Sequence, residues 1–281
     1  MYKLVAENQN GETLELTNNP AYVITGIDGL SQPDAIINSI DRAGHNGAMF
    51  NSAKVDVRQI ILTIVINSPA CENRNLLYKF FRSSGRVRLY YYNDMHEVYI
   101  DGWVKNASDD FFAKKQIMQV TIDCPDPFFH GVVELQGETN GVQPLFEFPF
   151  AIDEPIAFGD QRADRSARIW NPGDSDSGII IEIRATGAME NPRIYHQNTG
   201  KFIRVNTTLQ SGDRLVINTN TDEKSIYLYR SNVKTNLIAS RTPASSWIGA
   251  VPGLNTYNLL GTSGLANITC EISFRSNLGG V

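Results

Sequence analysis

Apolar and polar residues alternate over most of the chain, which is typical of β-strands. The longest such segment is Val55–Asn67, whose even positions form one apolar face: Ile60, Leu62, Ile64 and Ile66. Ile61 and Val65 make the second face apolar as well. A strand that is apolar on both faces is typical of the centre of a sheet that is covered on both sides. The pattern therefore predicts a mainly β fold with this strand in the middle of an N-terminal sheet.

Further strands are predicted at Arg86–Tyr92, Glu97–Val104 and Lys115–Asp123, with the first two joined as a hairpin. One helix interrupts them within residues 68–85. Ser68 is expected to cap this helix and Pro69 to occupy its first position. Four residues at helical spacing are predicted to form its buried seam: Leu76, Leu77, Phe80 and Phe81.

A polar, glycine-containing stretch, Ile37–Lys54, shows no core-facing pattern and is predicted to be a long belt-like loop. Loops of this length in compact domains are usually functional or lie at an interface. We interpret it as a contact with a neighbouring subunit. The candidate contact residues are Asn38, Asp41, Arg42, His45, Asn46, Met49 and Phe50.

The chain is predicted to have three parts. Residues 1–130 form an N-terminal β-sandwich with one helix, and residues 131–165, rich in Phe and Pro, form an extended connector that packs on the second domain. Residues 166–281 contain only short strands separated by turn motifs such as "NPGDSDSG" and "QSGD". This last pattern predicts a jelly-roll or galectin-like β-sandwich.

Composition indicates a globular protein, with 42% apolar residues, 20% charged residues and a net charge of −5. The acidic balance argues against sequence-specific nucleic-acid binding, which needs clustered Lys and Arg. No secretory signal and no apolar run of membrane-spanning length is visible, so we expect synthesis in a reducing cytoplasm and no membrane insertion. Three cysteines without a CxxC motif argue against disulfides and structural zinc.

The segment "TIDCPDPFFHG" combines metal-ligand residue types within a few positions. Alternation places Cys124 on the buried face of its strand and Asp123 on the opposite face, so the two cannot share a metal. Cys124 is predicted to be a small buried apolar residue. The four histidines are isolated in or near turns and are predicted to be solvated: His45, His96, His130 and His196.

No known catalytic motif is present, so we expect neither a catalytic site, nor a metal site, nor a cofactor. Asp174 and Asp176 resemble a calcium loop loosely, and a plain turn is the favoured interpretation. Trp170, Trp247 and Tyr257 are candidates for a saccharide platform, although aromatic residues in a sandwich more often belong to the core.

Several segments resemble the distal tail proteins of long-tailed phages, the siphophage tail component family. In the N-terminal half these are "GIDGL", "RQIILTIVI", the Pro-started helix and "DCPDPFF", followed by the linker "PLFEFPFAI". In the C-terminal half they are "NPGDSDSG", "ENP", "SGDRLVINTN" and "VPGLN". The anchors there are Asn171, Gly173, Asp174, Asn191, Pro192, Gly212, Asp213, Pro252, Gly253 and Asn255. All ten are also ordinary turn residues.

The resemblance implies a structural virion protein at the tip of a phage tail. Proteins of this family form hexameric rings that join the tail tube protein to the tail-associated hub or fibre protein and let DNA pass. A receptor-binding protein is a further implied partner. Their C-terminal sandwich resembles a carbohydrate-binding module.

Two other classes of function stay open at this point. The first is a host-surface saccharide-binding tail module that acts through the C-terminal sandwich. The second is an enzyme such as a cell-wall hydrolase.

Overall fold

The computed structural model of the chain describes residues 2–44, 46–111, 113–138, 142–143, 160–161 and 166–281. The chain divides into two compact units, residues 1–133 with 277–281 (unit 1) and residues 134–276 (unit 2). The predicted Phe/Pro connector segment 144–159 lies outside the described residues.

Unit 1 consists of strands and one helix. In chain order these are β1 (Lys3–Asn8), β2 (Thr13–Glu15), β3 (Tyr22–Asp28), β4 (Ala35–Asp41), β5 (Ala48–Val55), β6 (Arg58–Ile66), α1 (Ala70–Phe80), β7 (Arg86–Tyr92), β8 (Glu97–Asp109), β9 (Gln116–Cys124) and β10 (Phe129–Gly131).

The described residues of unit 2 form only β-strands and loops apart from two short 3-10 turns, Ile238–Ser240 and Leu265–Asn267. Its strands are β11 (Leu135–Glu138), β12 (Val142–Gln143), β13 (Asp160–Gln161), β14 (Ser166–Asn171), β15 (Ser177–Ala185), β16 (Met189–Glu190), β17 (Arg193–His196), β18 (Lys201–Arg204), β19 (Thr208–Leu209), β20 (Arg214–Asn218), β21 (Ser225–Arg230), β22 (Val233–Asn236), β23 (Gly249–Ala250), β24 (Gly253–Leu260) and β25 (Ile268–Phe274). Strand β26 (Asn277–Leu278) then returns to unit 1.

The main sheet of unit 1 has nine strands, seven of them in the order β2-β1-β7-β8-β9-β6-β3, with β10 beside β8 and β26 beside β10. All of its pairings are antiparallel. The predicted hairpin and the strand that ends at Cys124 are confirmed as β7–β8 and β9. One apolar cluster fills the inner face of the sheet, where alternate residues of β6, β8 and β9 meet α1.

Strand β6 differs from the prediction on one face. Ile60, Leu62, Ile64 and Ile66 are buried as expected. Ile61 and Val65 on the opposite face are only half-buried, although the strand lies between β9 and β3. The sheet is therefore covered fully on one side and partly on the other.

Helix α1 is confirmed, but two details of its prediction are wrong. Its N-cap is Pro69 and no side chain caps it, so Ser68 does not play the predicted role. Its buried seam contains Leu77, Phe80 and Phe81, whereas Leu76 is exposed. A helix of three turns that rests on one flat sheet buries a narrow stripe, and Leu76 falls outside that stripe.

Unit 2 is a sandwich of two sheets around a second apolar cluster. One sheet has seven strands, six of them in the order β11-β25-β15-β20-β21-β22, and the other has four strands in the order β14-β24-β17-β18. Alternation in β15 and β25 turns Ile181, Ile183, Cys270 and Ile272 into the core. The short strands that sequence patterning indicated beyond residue 166 are present, and the mainly β fold is confirmed.

Candidate assembly interface

The predicted long loop is a two-stranded antiparallel hairpin, β4 paired with β5, which corrects the sequence interpretation. Every residue of both strands is exposed. The β-branched residues of "AIINSID" favour a strand. The stretch is nevertheless predicted as a loop from its sequence, because it is polar and has no single apolar face. We call this element, Ala35–Val55, the exposed hairpin.

Both faces of the exposed hairpin carry apolar side chains, because residues opposite each other on paired strands share a face. Ile40 lies opposite Met49, and Ile36, two residues before Asn38, extends the same face. Phe50 and Ile37 share the other face with Val55. Ile37 is 66% exposed and Phe50 is 64% exposed. Two exposed apolar faces on one hairpin are a typical mark of a surface that a partner covers.

The structure brings six of the predicted contact residues together on this hairpin. Asn38 donates from Nδ2 to Ser52 Oγ across the strands at 3.0 Å. Asp41 ends β4, and Arg42 and Asn46 lie in the turn, where Gly44 and Gly47 have positive φ values of 77° and 85°. Met49 and Phe50 follow on opposite faces. His45 lies outside the described residues.

Sequence reasoning missed four further residues of this surface: Ile36, Ile37, Ile40 and Val55. Ile37 and Ile40 fell in the predicted loop, Ile36 directly before it and Val55 in the next predicted strand, so none of them was considered as part of one surface. The signal that could have found them is the run of strand-forming residues on each side of "GHNG", a glycine-flanked turn.

The base of the exposed hairpin is held by a buried arginine. Arg58 is 3% exposed, and its guanidinium donates to the carbonyls of Ser31 and Pro127 at 2.6 Å each and to that of Gly29. Gly29 has a φ of 90°, and a Cβ there would lie 2.2 Å from the carbonyl oxygen of Gln59. Only glycine fits this position, which gives the "GIDGL" segment a structural reason.

The last residues of the chain pack against the same base. Arg58 also donates to the carbonyl of Gly279, and the Val281 backbone N–H donates to the Leu30 carbonyl at 3.0 Å. The guanidinium of Arg58 lies 4.7 Å from the centre of the Phe129 ring. The base of the exposed hairpin is therefore fixed by interactions from three other parts of unit 1.

The metal-ligand residue types of the segment "TIDCPDPFFHG" have structural roles. Cys124 is buried as predicted, and burial raises the pKa of its thiol to about 12. His130, however, is not a solvated turn residue. Its Nε2 lies 3.2 Å from Asp126 Oδ2, its Nδ1 lies 2.8 Å from Asn277 Oδ1, and its ring packs on Tyr99.

The pKa of His130 results from opposing effects. Burial lowers it, but the bond to Asp126 and then the bond to Asn277 outweigh burial, so the pKa of His130 is raised. Burial raises the pKa of Asp126, but the interaction with His130 outweighs it and the pKa of that carboxyl is lowered. Within the described residues, no group of three or more His, Cys, Asp or Glu side chains could hold a metal.

His196 is also buried, contrary to the prediction. Its ring stacks on Tyr257 with centroids 4.6 Å apart, and its Nδ1 lies 3.0 Å from Thr199 Oγ1. Burial lowers the pKa of this imidazole, which favours the neutral form.

The three candidate platform aromatics do not form one surface. Trp170 is 64% exposed on the outer face of β14, whereas Tyr257 is 1% exposed in the core and donates its hydroxyl to the Gly249 carbonyl at 2.7 Å. Trp247 is half-buried against the core, with Arg241 over its ring. Tyr257 cannot meet a saccharide in this conformation, because alternation places it on the opposite face of the sheet from Trp170.

The loosely calcium-like loop is a turn held by its own side chains. Asn171 Oδ1 accepts the Gly173 backbone N–H at 2.9 Å, and Asn171 Nδ2 donates to the Ala250 carbonyl at 3.0 Å. Ser175 Oγ donates to Asp174 Oδ1 at 2.9 Å. Such bonds explain why Asn and Asp stand at these positions without a cation.

Other anchors of the C-terminal motifs have structural roles too. Asn255 is buried, accepts the Val251 backbone N–H and donates to the Gly253 carbonyl at 2.9 Å. Asp213 accepts Arg230 through both carboxylate oxygens. The anchors therefore specify turns and their supports.

No helix in the part of the chain that the structure describes is long and apolar enough to cross a membrane.

Comparisons with known proteins agree with the sequence motifs. Residues 172–277 match the family described as "Siphovirus-type tail component, C-terminal domain". The fold is similar to the crystal structure of phage SPP1 Dit, described as a paradigm of the hub adsorption apparatus in phages that infect Gram-positive bacteria. That match has a TM-score of 0.70 and 12% identity and covers 98% of each chain.

The chain is also similar to a component of the phage P2 baseplate in its activated conformation. The calcium form matches with a TM-score of 0.58 and the strontium form with 0.54, each at 13% identity over 100% of both chains. No curated protein matches the sequence. The domain match and the whole-chain fold matches confirm the predicted resemblance to phage distal tail and baseplate hub proteins.

Proposed function

We propose that this protein is a structural adaptor of a phage tail tip. In this role it assembles into a hexameric ring that joins the tail tube protein to the tail-associated hub or fibre protein. The ring would let DNA pass through its lumen, and unit 2 would point outward toward a receptor-binding protein. The protein would be made in the host cytoplasm, act in the virion tail tip and have no catalytic activity of its own. The similarity of the whole fold to SPP1 Dit supports this assignment.

The observation that carries the ring is the exposed hairpin. Covering one large apolar side chain contributes about 1.5–3 kcal/mol, and the hairpin offers six: Ile36, Ile37, Ile40, Met49, Phe50 and Val55. A two-stranded hairpin alone is marginally stable in water, so a neighbour that covers both faces would also fix its shape.

The contact would be head-to-tail. An element that projects from one site of a subunit inserts into a different site of the next one, which gives a heterologous interface. Such interfaces close into rings when the rotation between subunits permits it. This geometry agrees with a ring better than with a two-fold dimer.

The test is the oligomeric state of the purified full chain, measured by light scattering after gel filtration and by negative-stain imaging. Wild-type protein should form six-fold rings. Ile37→Asp with Phe50→Asp should give folded monomers, and so should Ile40→Asp with Met49→Asp on the other face.

The matched control is Met95→Asp with Val233→Asp, two exposed apolar residues elsewhere. It should leave the ring intact. All variants should keep the circular dichroism of the wild type, since the altered side chains are exposed. Hexamers that persist in both hairpin variants, or after deletion of Ile37–Lys54, would show that the hairpin is not the ring contact.

A further inference from the structure

The outer face of the four-stranded sheet in unit 2 has an unusual charge. Its strands, β14, β24, β17 and β18, contain no Asp or Glu in a chain whose net charge is −5. They contain four basic residues, of which three, Arg168, Arg193 and Arg204, lie on the outer face. Lys201 pairs with the buried His196 and lies on the other face. We call this surface the arginine face.

Two of its arginines lie directly opposite each other. Arg193 on β17 pairs with Arg204 on β18, so both side chains project from the same face. Like charges in this arrangement destabilise a sheet. Within the described residues neither guanidinium forms an ion pair, and the buried Nε atom of each finds no hydrogen-bond acceptor. An anion placed between the two guanidinium groups would supply the missing counter-charge.

The opposite sheet of unit 2 shows how this chain otherwise treats arginine. Arg184 lies 2.6 Å from Glu182 and Arg214 lies 3.3 Å from the same carboxylate. Those arginines already have their counter-charge within the unit. The Arg193/Arg204 pair differs from them because it has no such counter-charge among the described residues.

Arg193 is held in a fixed orientation. Its guanidinium lies 4.0 Å from the centre of the Phe202 ring and 5.9 Å from that of Tyr195. Stacking on a ring leaves the edge of the guanidinium free, and that edge is where two parallel bonds to a carboxylate form. Little side-chain freedom would be lost on binding.

The rest of the face is apolar. Trp170 lies opposite Leu254 and both are exposed, while Leu260 lies beside Arg193. Leu254 and Leu260 are six residues apart on β24, which corresponds to about 20 Å. Trp, Tyr and Arg are the residues that dominate protein–protein interfaces. Exposed leucines among them favour a protein partner over a saccharide.

We propose that the arginine face docks an acidic segment of a partner protein. Carboxylates of the partner lie between Arg193 and Arg204, and its apolar side chains cover Leu254 and Trp170. The proposal rests on the adaptor role for the expectation that the partner is another tail protein. It makes unit 2 a specific attachment surface.

The test uses the full chain and a random copolymer of glutamate and tyrosine as the probe, with binding measured by surface plasmon resonance. Arg193→Gln with Arg204→Gln should weaken binding by at least about tenfold, since each charged hydrogen bond contributes about 1.5–3 kcal/mol. The control, Arg184→Gln with Arg214→Gln, makes the same charge change and should stay within about twofold of wild type.

Thermal unfolding separates binding from folding. Removing two like charges that face each other should leave the midpoint of the Arg193/Arg204 variant unchanged or higher. Trp170→Ala with Leu254→Ser should also lose affinity for the copolymer.

Three results would overturn the proposal: equal loss of affinity in the control, no loss in the Arg193/Arg204 variant, or tighter binding of dextran sulfate than of the copolymer at the same two arginines. The last result would assign the face to an anionic polysaccharide.

Light scattering on the same samples reports ring assembly separately. Rings that form without copolymer binding would contradict this proposal alone, and missing rings in the wild type would contradict the adaptor role.

Discussion

Arg58 and Gly279 are 221 positions apart in the chain, and the guanidinium of the first donates to the carbonyl of the second. The same guanidinium bonds the segment that leads into the exposed hairpin and the segment that leads into β10. One buried side chain therefore connects three parts of unit 1 that are remote in sequence. Its acceptors include four backbone carbonyls, each of which would lose a donor if the arginine were replaced.

Replacing Arg58 should be strongly destabilising. Arg58→Met leaves buried carbonyls without a donor, and we expect a loss of about 3 kcal/mol or more in the free energy of unfolding. Arg58→Lys keeps a charge but not the fork of donors, so its loss should be intermediate. Urea denaturation measures both. Arg168→Met, at an exposed position, is the control and should change stability by less than about 0.5 kcal/mol.

The pair of His130 and Asp126 should make stability depend on pH. A histidine whose pKa is raised on folding contributes stability that is complete below its unfolded pKa of about 6.5. This contribution is lost as pH rises through the raised pKa of the folded state. The groups that face the imidazole are Asp126, Asn277, Tyr99 and the more distant Asp101.

We therefore expect the wild type to lose more stability between pH 6 and pH 9 than His130→Gln does. Chemical denaturation at several pH values measures the difference, in which contributions from the other histidines cancel. If the free energy of unfolding of the two proteins changed with pH in parallel, the role of His130 in this pH dependence would be contradicted. Below about pH 4 the lowered pKa of Asp126 should make the wild type lose more stability than His130→Gln, because His130 is the main cause of that lowering.

The three cysteines should differ in reactivity. Cys71 is exposed, whereas Cys124 and Cys270 are buried and burial raises each pKa to about 12. Ellman's reagent at pH 8 should label Cys71 rapidly and the other two only after denaturation, and Cys71→Ser should abolish the rapid phase. Rapid labelling of two or more thiols in the folded protein would be inconsistent with this structure.

Cys124→Ser should lower the free energy of unfolding by about 1–3 kcal/mol, because a hydroxyl replaces a buried apolar sulfur. Urea denaturation measures the loss. We expect the zinc content of wild type and variant alike to be zero by elemental analysis. Stoichiometric zinc in the wild type would overturn the structural interpretation of Cys124.

Asp213 should support unit 2 through its charge. Arg230 donates to both of its carboxylate oxygens, which lowers the pKa of Asp213 despite its burial. Asp213→Asn should lower the thermal midpoint at pH 7, and the difference from wild type should shrink only as pH falls below about 4, through the lowered pKa of the folded state. Asp222→Asn, in an exposed turn, is the control and should match wild type. A difference that does not change with pH would mean that the charge of Asp213 is not what matters.

Alternation alone could predict the elements that have one buried face. Strands β15, β25 and β9 were predicted because each buries every second residue against its own unit. The exposed hairpin could not be predicted in this way, because neither of its faces is covered by the chain that encodes it. A search of the sequence for one apolar face predicts a loop when both faces of a strand contain apolar and polar residues.

Contacts between residues that are far apart in the sequence account for the other differences between the prediction and the structure. His130 looked isolated because Asn277 lies 147 positions away, and local sequence says nothing about that distance. The exposure of Leu76 and the burial of Tyr257 depend on which face meets a neighbouring element. The candidate contact residues included Met49 and Phe50 but not the other apolar residues of the exposed hairpin, because the segment was taken to have no secondary structure.

The return of β26 to unit 1 has a mechanical consequence. Unit 2 is joined to unit 1 by two covalent crossings, one after β10 and one before β26, and these two strands pair with each other at His130 and Asn277. A single cut in the polypeptide between the units would leave them attached. In the proposed tail-tip role, unit 2 would stay covalently attached through either crossing if the other were broken.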